Sequence, residues 1–203
     1  MVHDLYGISR WGDGLVDILP HGNIGLKDPL NPESVSVDLA EIIRKLEKRG
    51  IQTPVLLRVS NFLEHRIKAI NESFRLAIEQ VGYGGKYRGV FPVKVNQQAH
   101  VVERISKYGE AFHFGLEVGS KAELLIALSQ CDDPQSLIIC NGYKDAEFIR
   151  LALLSSRLGM NTVIVMESVR ELKLIIEVSR ELQIVPKLGV RVKLVNMVSG
   201  NWA

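Results

Sequence analysis

A lysine in the middle of a short apolar run is the residue whose setting first suggests chemistry. Lys94 stands at the centre of residues 90–96, which read VFPVKVN. If residues 90–95 form a strand, side chains alternate between two faces, and both faces of this run are mostly apolar. An ammonium group covered on both sides loses hydration, which favours the neutral amine, a nucleophile that forms imines with carbonyl compounds. The alternative is a lysine that reaches solvent or protects the edge of a sheet.

The elements that must position Lys94 follow it in a regular alternation of helix and strand patterns. The predicted order is helix 97–108, strand 111–118, helix 121–130, strand 136–140, helix 146–158, strand 161–166, helix 169–182 and strand 188–195. Two helix starts carry a capping box, Ser120 with Glu123 and Ser168 with Glu171, which locates two strand-to-helix junctions. This alternation predicts parallel strands joined by helical crossovers, and hence an α/β fold.

Polar side chains recur where these strands end or pass the same level. Glu117, Asn141 and Glu167 come at the ends of three strands, and Arg191 lies within the last one. In a βα-barrel the carboxyl ends of the strands form one mouth, so these groups are expected to converge with Lys94. Each also has a local explanation: Asn141 opens a turn dipeptide, and the two glutamates suit the start of the following helix.

The part of the chain before Lys94 has a different composition. Residues 6–32 are rich in Gly, Asp, Asn and Pro, which predicts short strands and turns. A domain boundary is expected near residues 31–36, giving a β-rich segment 1–35 and a second domain 36–203. Within that second domain, residues 37–50 predict a helix, residues 54–59 a strand, and residues 63–81 a helix whose His65 packs at its surface.

Composition excludes several classes of protein. The chain has 203 residues, 46% hydrophobic and 24% charged, which is typical of a globular protein. Its 25 basic and 23 acidic residues are spread along the chain, so no nucleic-acid partner is expected. No apolar run is long enough for a membrane span, and with no leader pattern the protein is expected to be cytoplasmic. Cys131 and Cys140 show no metal-binding or disulfide spacing, so packing is their expected role.

The run around Lys94 resembles a known signature. Phe91-Pro92-Val93-Lys94-Val95-Asn96, followed by His100 and Gly109, is similar to the pyridoxal-phosphate attachment signature of the ornithine, diaminopimelate and arginine decarboxylases of the alanine-racemase-like barrel type. Four further segments resemble the biosynthetic arginine decarboxylases within that group, namely residues 6–14, 113–124, 140–145 and 188–191.

The resemblance implies a fold and a site. The fold would be a partial pyridoxal-phosphate-binding (β/α)8 barrel, alanine racemase-like and of fold type III, preceded by the short β-rich segment. Lys94 would hold pyridoxal 5'-phosphate covalently and act in catalysis. Glu117 matches an acidic residue near the cofactor, Arg191 matches an arginine at the same mouth, and Asn141 completes the expected cofactor-binding set. No metal-ligating residue is proposed, although the resemblance allows Mg²⁺ as a further cofactor.

The implied activity is the decarboxylation of L-arginine to agmatine and CO2, in polyamine (putrescine and spermidine) biosynthesis and arginine catabolism, by a homo-oligomer. Only five strands are predicted between residues 90 and 195, whereas a (β/α)8 barrel needs eight. By the resemblance, the phosphate cup and the acid that pairs with the pyridine nitrogen follow later, so this chain alone is expected to be inactive. Three alternatives stay open: another decarboxylase or racemase of this barrel type, a non-catalytic interaction partner, and a sugar-phosphate barrel without the cofactor.

Overall fold

The structure is a computed structural model that describes residues 2–192 of the chain. The chain separates into two compact units, Met1–Ile70 and Asn71–Ala203. One long helix, α4 (Ser60–Val81), contributes residues to both units. The domain boundary expected near residue 35 stays a prediction.

The first unit contains short elements, as the composition of residues 6–32 predicts. It is built from α1 (Val2–Leu5), α2 (Ile8–Trp11), β1 (Val16–Ile18), β2 (Ile24–Leu26), β3 (Val37–Asp38) and α3 (Leu39–Lys48). The three strands form an antiparallel sheet in the order β1-β2-β3. Asp38 ends the sheet and begins α3, because its Oδ1 accepts a hydrogen bond from the backbone N–H of Ala40 at 2.8 Å.

The strand predicted at residues 54–59 is wrong, since this segment has no regular secondary structure. Its apolar composition suits a strand, but a strand exists only where a neighbouring backbone completes its hydrogen bonds. In the part of the chain that the structure describes, no strand pairs with residues 54–59. The helix predicted at residues 63–81 is confirmed as α4, which begins three residues earlier.

The second unit is a five-stranded parallel sheet whose strands follow chain order, β4-β5-β6-β7-β8, as the alternating pattern predicts. Its elements are β4 (Val90–Pro92), α5 (Ala99–Gly109), β5 (Gly115–Val118), α6 (Lys121–Gln130), β6 (Leu137–Cys140), α7 (Ala146–Arg157), β7 (Asn161–Met166), α8 (Val169–Leu182) and β8 (Lys187–Val190). Short 3-10 turns, Val93–Val95 and Glu110–Phe112, follow β4 and α5. The last predicted strand, 188–195, is too long: β8 ends at Val190, so Arg191 follows the strand instead of lying within it, and residues 193–195 lie outside the described residues.

The two faces of this sheet differ in burial. Alternate side chains of the central strands are fully buried on one face, where helices α6, α7 and α8 contact the sheet. The largest buried side chains of this core are Leu116, Val118, Leu124, Ile138, Phe148, Ile149, Leu153, Ile164 and Ile175. Each such side chain stabilises the fold by about 1.5 to 3 kcal/mol relative to exposure. On the opposite face, the paired residues Ile139 and Val163 are half-buried, whereas Gly115 and Glu117 of β5 are buried.

Both cysteines are unpaired and buried, consistent with the packing role predicted for them. Burial raises the pKa of the Cys140 thiol to about 12, so it stays protonated and unreactive near neutral pH.

Both predicted capping boxes are present and fix where β5 and β7 give way to helices. Ser120 Oγ accepts from the backbone N–H of Glu123 at 3.2 Å, and Ser168 Oγ accepts from that of Glu171 at 3.3 Å. The two junctions therefore hold the residues after each strand at one edge of the sheet.

Candidate functional site

The carboxyl edge of the parallel sheet brings together the four residues predicted to form the site, in two groups. In the first, Lys94 Nζ lies 3.9 Å from Glu117 Oε1, and Asn141 Nδ2 donates a hydrogen bond to the same oxygen at 3.2 Å. In the second, Arg191 Nη1 donates to Glu167 Oε1 at 3.2 Å. The convergence expected from the strand ends is therefore present within each group.

Lys94 does not occupy the covered strand that the sequence predicts. Strand β4 ends at Pro92, where pairing with Glu117 is the last step of the ladder, and Lys94 lies in the 3-10 turn that follows. Val93 turns fully into the core instead, and the Lys94 side chain is 64% exposed. The predicted burial is therefore wrong in this chain, because period-2 alternation cannot show where a ladder stops. The exposed amine remains at the mouth.

Glu117 is held rigidly by its strand. All four residues of β5 are buried, and the Glu117 side chain is only 10% exposed. Parallel pairing sets Glu117 beside Pro92 of β4 and Ile139 of β6, so its carboxylate lies between the two neighbouring strand ends. It contacts Lys94 on one side and Asn141 on the other. A buried carboxylate of this kind can orient an amine without itself being reached by solvent.

The turn after β6 is shaped for close contact. The Asn141 N–H donates to the carbonyl oxygen of Val118 at 2.8 Å, which continues the β5–β6 pairing by one residue. Gly142 has φ +74°, and a Cβ built there would lie 2.7 Å from the carbonyl oxygen of Gly119. Glycine is therefore required on both counts. This turn directs the Gly142 N–H to Glu167 Oε1 at 2.8 Å.

Glu167 is one of the polar residues expected at the strand ends, but it is not among the predicted cofactor-binding residues, and the structure pairs it with Arg191. The sequence indicates its place only through its position directly after β7, which corresponds to the position of Asn141 directly after β6. Burial opposes ionisation, but the Gly142 N–H and the Arg191 guanidinium prevail and lower the pKa of Glu167. The Arg191 N–H also donates to the carbonyl oxygen of Met166 at 2.9 Å, which fixes the backbone beneath the pair.

Lys144 lies close to the same turn and is fully buried. A lysine just before α7 is expected to be solvated, yet its side chain is 0% exposed and its Nζ lies 3.5 Å from Oε2 of the buried Glu171. Its Nζ also donates to the carbonyl oxygen of Gly142. The partner stands 27 positions away in the sequence, so no local pattern could reveal the pair. By contrast, Lys121 is partly exposed as expected, pairing with Asp145 and Glu147.

The site combines a five-stranded parallel sheet with a solvent-accessible lysine amine at its carboxyl edge. A parallel α/β sheet carries its functional groups at this edge, and an aldehyde cofactor needs an amine that it can reach. Lys94 meets that need, and the buried carboxylate beside it can hold the amine in place. The residues present fit a pyridoxal site.

Comparison with known proteins identifies the family. The pattern of the pyridoxal-dependent decarboxylase, pyridoxal binding domain, matches residues 67–202. The chain is 48% identical over 198 residues to the biosynthetic arginine decarboxylase of Synechococcus sp. (strain RCC307), covering 98% of this chain and 31% of that protein. It is 45% identical over 199 residues to that of Prochlorococcus marinus (strain MIT 9303), with coverage of 98% and 31%.

Two solved structures are similar to the chain. The crystal structure of the biosynthetic arginine decarboxylase from Campylobacter jejuni has a TM-score of 0.84 at 32% identity, covering 94% of this chain and 32% of that one. Diaminopimelate decarboxylase from M. jannaschi has a TM-score of 0.63 at 22% identity, covering 89% and 36%, and shows a shared fold.

The chain belongs to the pyridoxal-dependent decarboxylase family and contains its pyridoxal-binding domain. The predicted fold class, part of a pyridoxal-phosphate-binding barrel preceded by a β-rich segment, is confirmed. The chain spans about a third of the length of the curated relatives it matches.

Two kinds of feature are absent from the described residues. Among residues 2–192, no helix is both long and apolar enough to cross a membrane. In the same range, no group of three or more His, Cys, Asp or Glu side chains is placed to hold a metal ion. The Mg²⁺ expectation stays a prediction.

Proposed function

We propose that this chain forms the pyridoxal-phosphate-binding part of an enzyme that decarboxylates L-arginine to agmatine and CO2, with Lys94 as the residue that binds the cofactor covalently. The observation that carries the proposal is the exposed Lys94 amine, 3.9 Å from the buried Glu117 carboxylate at the carboxyl edge of the sheet. Similarity to the arginine decarboxylases over nearly the whole chain supports the choice of arginine. The activity is assigned to a longer protein that includes the remaining two thirds of the relatives' length.

When bound, pyridoxal phosphate would accept the electron pair left on the α-carbon as the bond to the carboxylate breaks, and a proton then takes the place of CO2. The chain's own residues would bind and orient. Lys94 presents its amine, Glu117 holds that amine by charge, and the Asn141 amide fixes the Glu117 carboxylate from the far side. Arg191, anchored by Glu167, offers a second cation at the same mouth.

Reaction with the cofactor followed by reduction tests the assignment of Lys94. The full chain is incubated with pyridoxal phosphate, reduced with borohydride and mapped by peptide mass spectrometry. The adduct is expected on Lys94 and should disappear in Lys94→Ala. Lys121→Ala is the matched control, because Glu147 and Asp145 raise the pKa of the Lys121 amine and keep it protonated.

Labelling of Lys121 or Lys144 in place of Lys94 would contradict the assignment. Lys144 is a strict comparison, because its side chain is at the same edge of the sheet but is fully buried.

Assembly is part of the same proposal. The resemblance to the arginine decarboxylases supports a homo-oligomer and a cytoplasmic location for the complete enzyme. The alternative of a non-catalytic chain that associates with a longer subunit has one observation in its favour, the exposure of Leu188 and Val190 on β8, the last strand of the described sheet. Co-purification of a longer subunit without any Lys94 adduct would favour that alternative.

A further inference from the structure

The buried ion pair between Lys144 and Glu171 needs an explanation that the proposed function does not supply. Both side chains are almost completely removed from solvent, with Nζ and Oε2 3.5 Å apart. Removing two charges from water is costly, and well-packed apolar residues of similar volume often stabilise a fold as well or better. The pair therefore suggests a role in geometry rather than in stability.

The contacts of the pair lead to the turns after β6 and β7. Lys144 Nζ donates to the carbonyl oxygen of Gly142, while Glu171 Oε2 accepts from the N–H of Glu167 at 2.7 Å and Oε1 accepts from the N–H of Lys144 at 3.0 Å. Between the two turns, the Gly142 N–H donates to Glu167 Oε1 at 2.8 Å. These bonds form a closed ring around Gly142 and Glu167, and the same Glu167 oxygen receives Arg191.

Capping of α8 does not by itself require the lysine. At α6 the same geometry is present: Glu123 Oε2 accepts from the N–H of Gly119 at 2.7 Å, while Ser120 Oγ accepts from the N–H of Glu123. Glu123 does this from a half-buried position. A serine and a glutamate are thus sufficient for the cap, and what Lys144 adds is its bond to Gly142.

We propose that Lys144 and Glu171 are positioning residues that hold the backbone of Gly142 and Glu167, so that the Glu167 carboxylate stays directed at Arg191 on the mouth. The inference rests on the proposed function, in which Arg191 belongs to the cofactor mouth. Neither Lys144 nor Glu171 touches a ligand in this role. Both act through the two turns.

The test follows the Gly142 amide by two-dimensional ¹H–¹⁵N NMR across acid pH, because this N–H donates to the Glu167 carboxylate. In the wild-type chain its resonance should move with the ionisation of Glu167, and Glu167→Gln should abolish that movement. If the chemical shift of the wild-type Gly142 amide does not change with the ionisation of Glu167, that result alone overturns the proposal.

The decisive variant is Lys144→Met with Glu171→Gln, which removes both charges but keeps an amide oxygen near the N–H groups of Lys144 and Glu167. Loss of the ring should abolish the pH-dependent movement of the Gly142 resonance and lower its hydrogen-exchange protection about tenfold. Lys121→Met, a matched lysine at the same edge, should change neither. If the Gly142 amide of the double variant shows the same pH-dependent movement and the same hydrogen-exchange protection as in wild type, the proposal is overturned.

Borohydride labelling of Lys94 is run on the same samples. Absence of an adduct in the wild-type chain would count against the proposed function, whereas the Gly142 measurements decide the positioning role separately.

Discussion

The cost of breaking the buried Lys144–Glu171 pair can be worked out from its burial. Lys144→Met removes the cation and leaves the Glu171 carboxylate, 5% exposed, without its counter-charge. Removing one partner of a buried pair typically destabilises a protein by about 3 to 5 kcal/mol. Glu171 keeps its bonds from the N–H groups of Lys144 and Glu167, which places the expected loss at the lower end, about 3 kcal/mol.

Glu171→Gln leaves the opposite charge, and Lys144 is the worse case because its side chain is 0% exposed. A loss of about 4 kcal/mol is expected from that single substitution. The double variant has no buried charge, so it should lose only about 1 kcal/mol or less relative to wild type. The two substitutions are therefore strongly non-additive, with a coupling of several kcal/mol.

Urea denaturation followed by far-UV circular dichroism measures the four free energies of unfolding at pH 7. Lys121→Met is the control, since removing a partly exposed ion pair should cost about 1 kcal/mol at most. Two results would contradict the prediction. The free energy of unfolding could fall by less than about 1 kcal/mol in Lys144→Met, or it could fall in the double variant by as much as in the two single variants together. Either result would mean that the two charges do not form a pair shielded from water.

Three further outcomes follow from the site. In the folded chain, the pKa of Glu167 lies below its usual value of 4.5. The ionised carboxylate therefore stabilises the fold above pH 4.5, and this stabilisation is lost as the pH falls through the pKa of the folded state. In urea unfolding between pH 6 and pH 3, the free energy of unfolding should fall more steeply for wild type than for Glu167→Gln. In a full-length enzyme, Glu117→Gln and Arg191→Ala should lower turnover and keep the fold, whereas substitution of the exposed Arg75 by Ala should change stability by no more than about 0.5 kcal/mol. Wild-type kinetics for the Glu117 variant would remove that residue from the site. The isolated chain should release no CO2 from carboxyl-labelled arginine, since losing even one positioned contact costs about a hundred- to a thousandfold in rate; turnover that disappears with Lys94→Ala would disprove this.

The order of the elements after residue 99 could be predicted from the sequence because local signals agree there, although β5 begins at Gly115 instead of 111 and β8 ends at Val190 instead of 195. Strand β7 and helix α8 have the predicted bounds, Asn161–Met166 and Val169–Leu182, since the Ser168 capping box marks the junction between them. The convergence of Lys94, Glu117 and Asn141 follows from the same regularity, because parallel strands in sequence order end at one edge. Hydrophobic periodicity and helix capping can both be recognised within short stretches of the sequence.

What could not be predicted depends on partners distant in the sequence. The strand expected at residues 54–59 fails for want of a neighbouring strand, and the alternation through residue 95 could not show that pairing stops at Pro92. Lys144 looks like any lysine before a helix, because the glutamate that accompanies it into the interior lies in the following βα unit.

The exposure of the four charged groups at the mouth suggests how a ligand would meet them. Lys94 and Arg191 are 64% and 65% exposed, whereas their partners Glu117 and Glu167 are 10% and 14% exposed. Each carboxylate is thus buried beneath the cation that it contacts. An approaching ligand would meet the two cations first, which suits an anionic molecule such as a phosphorylated aldehyde or an α-carboxylate. The carboxylates then act from below, where low solvent access strengthens their hold on the cations. At this edge, each exposed cation is therefore held by a buried anion.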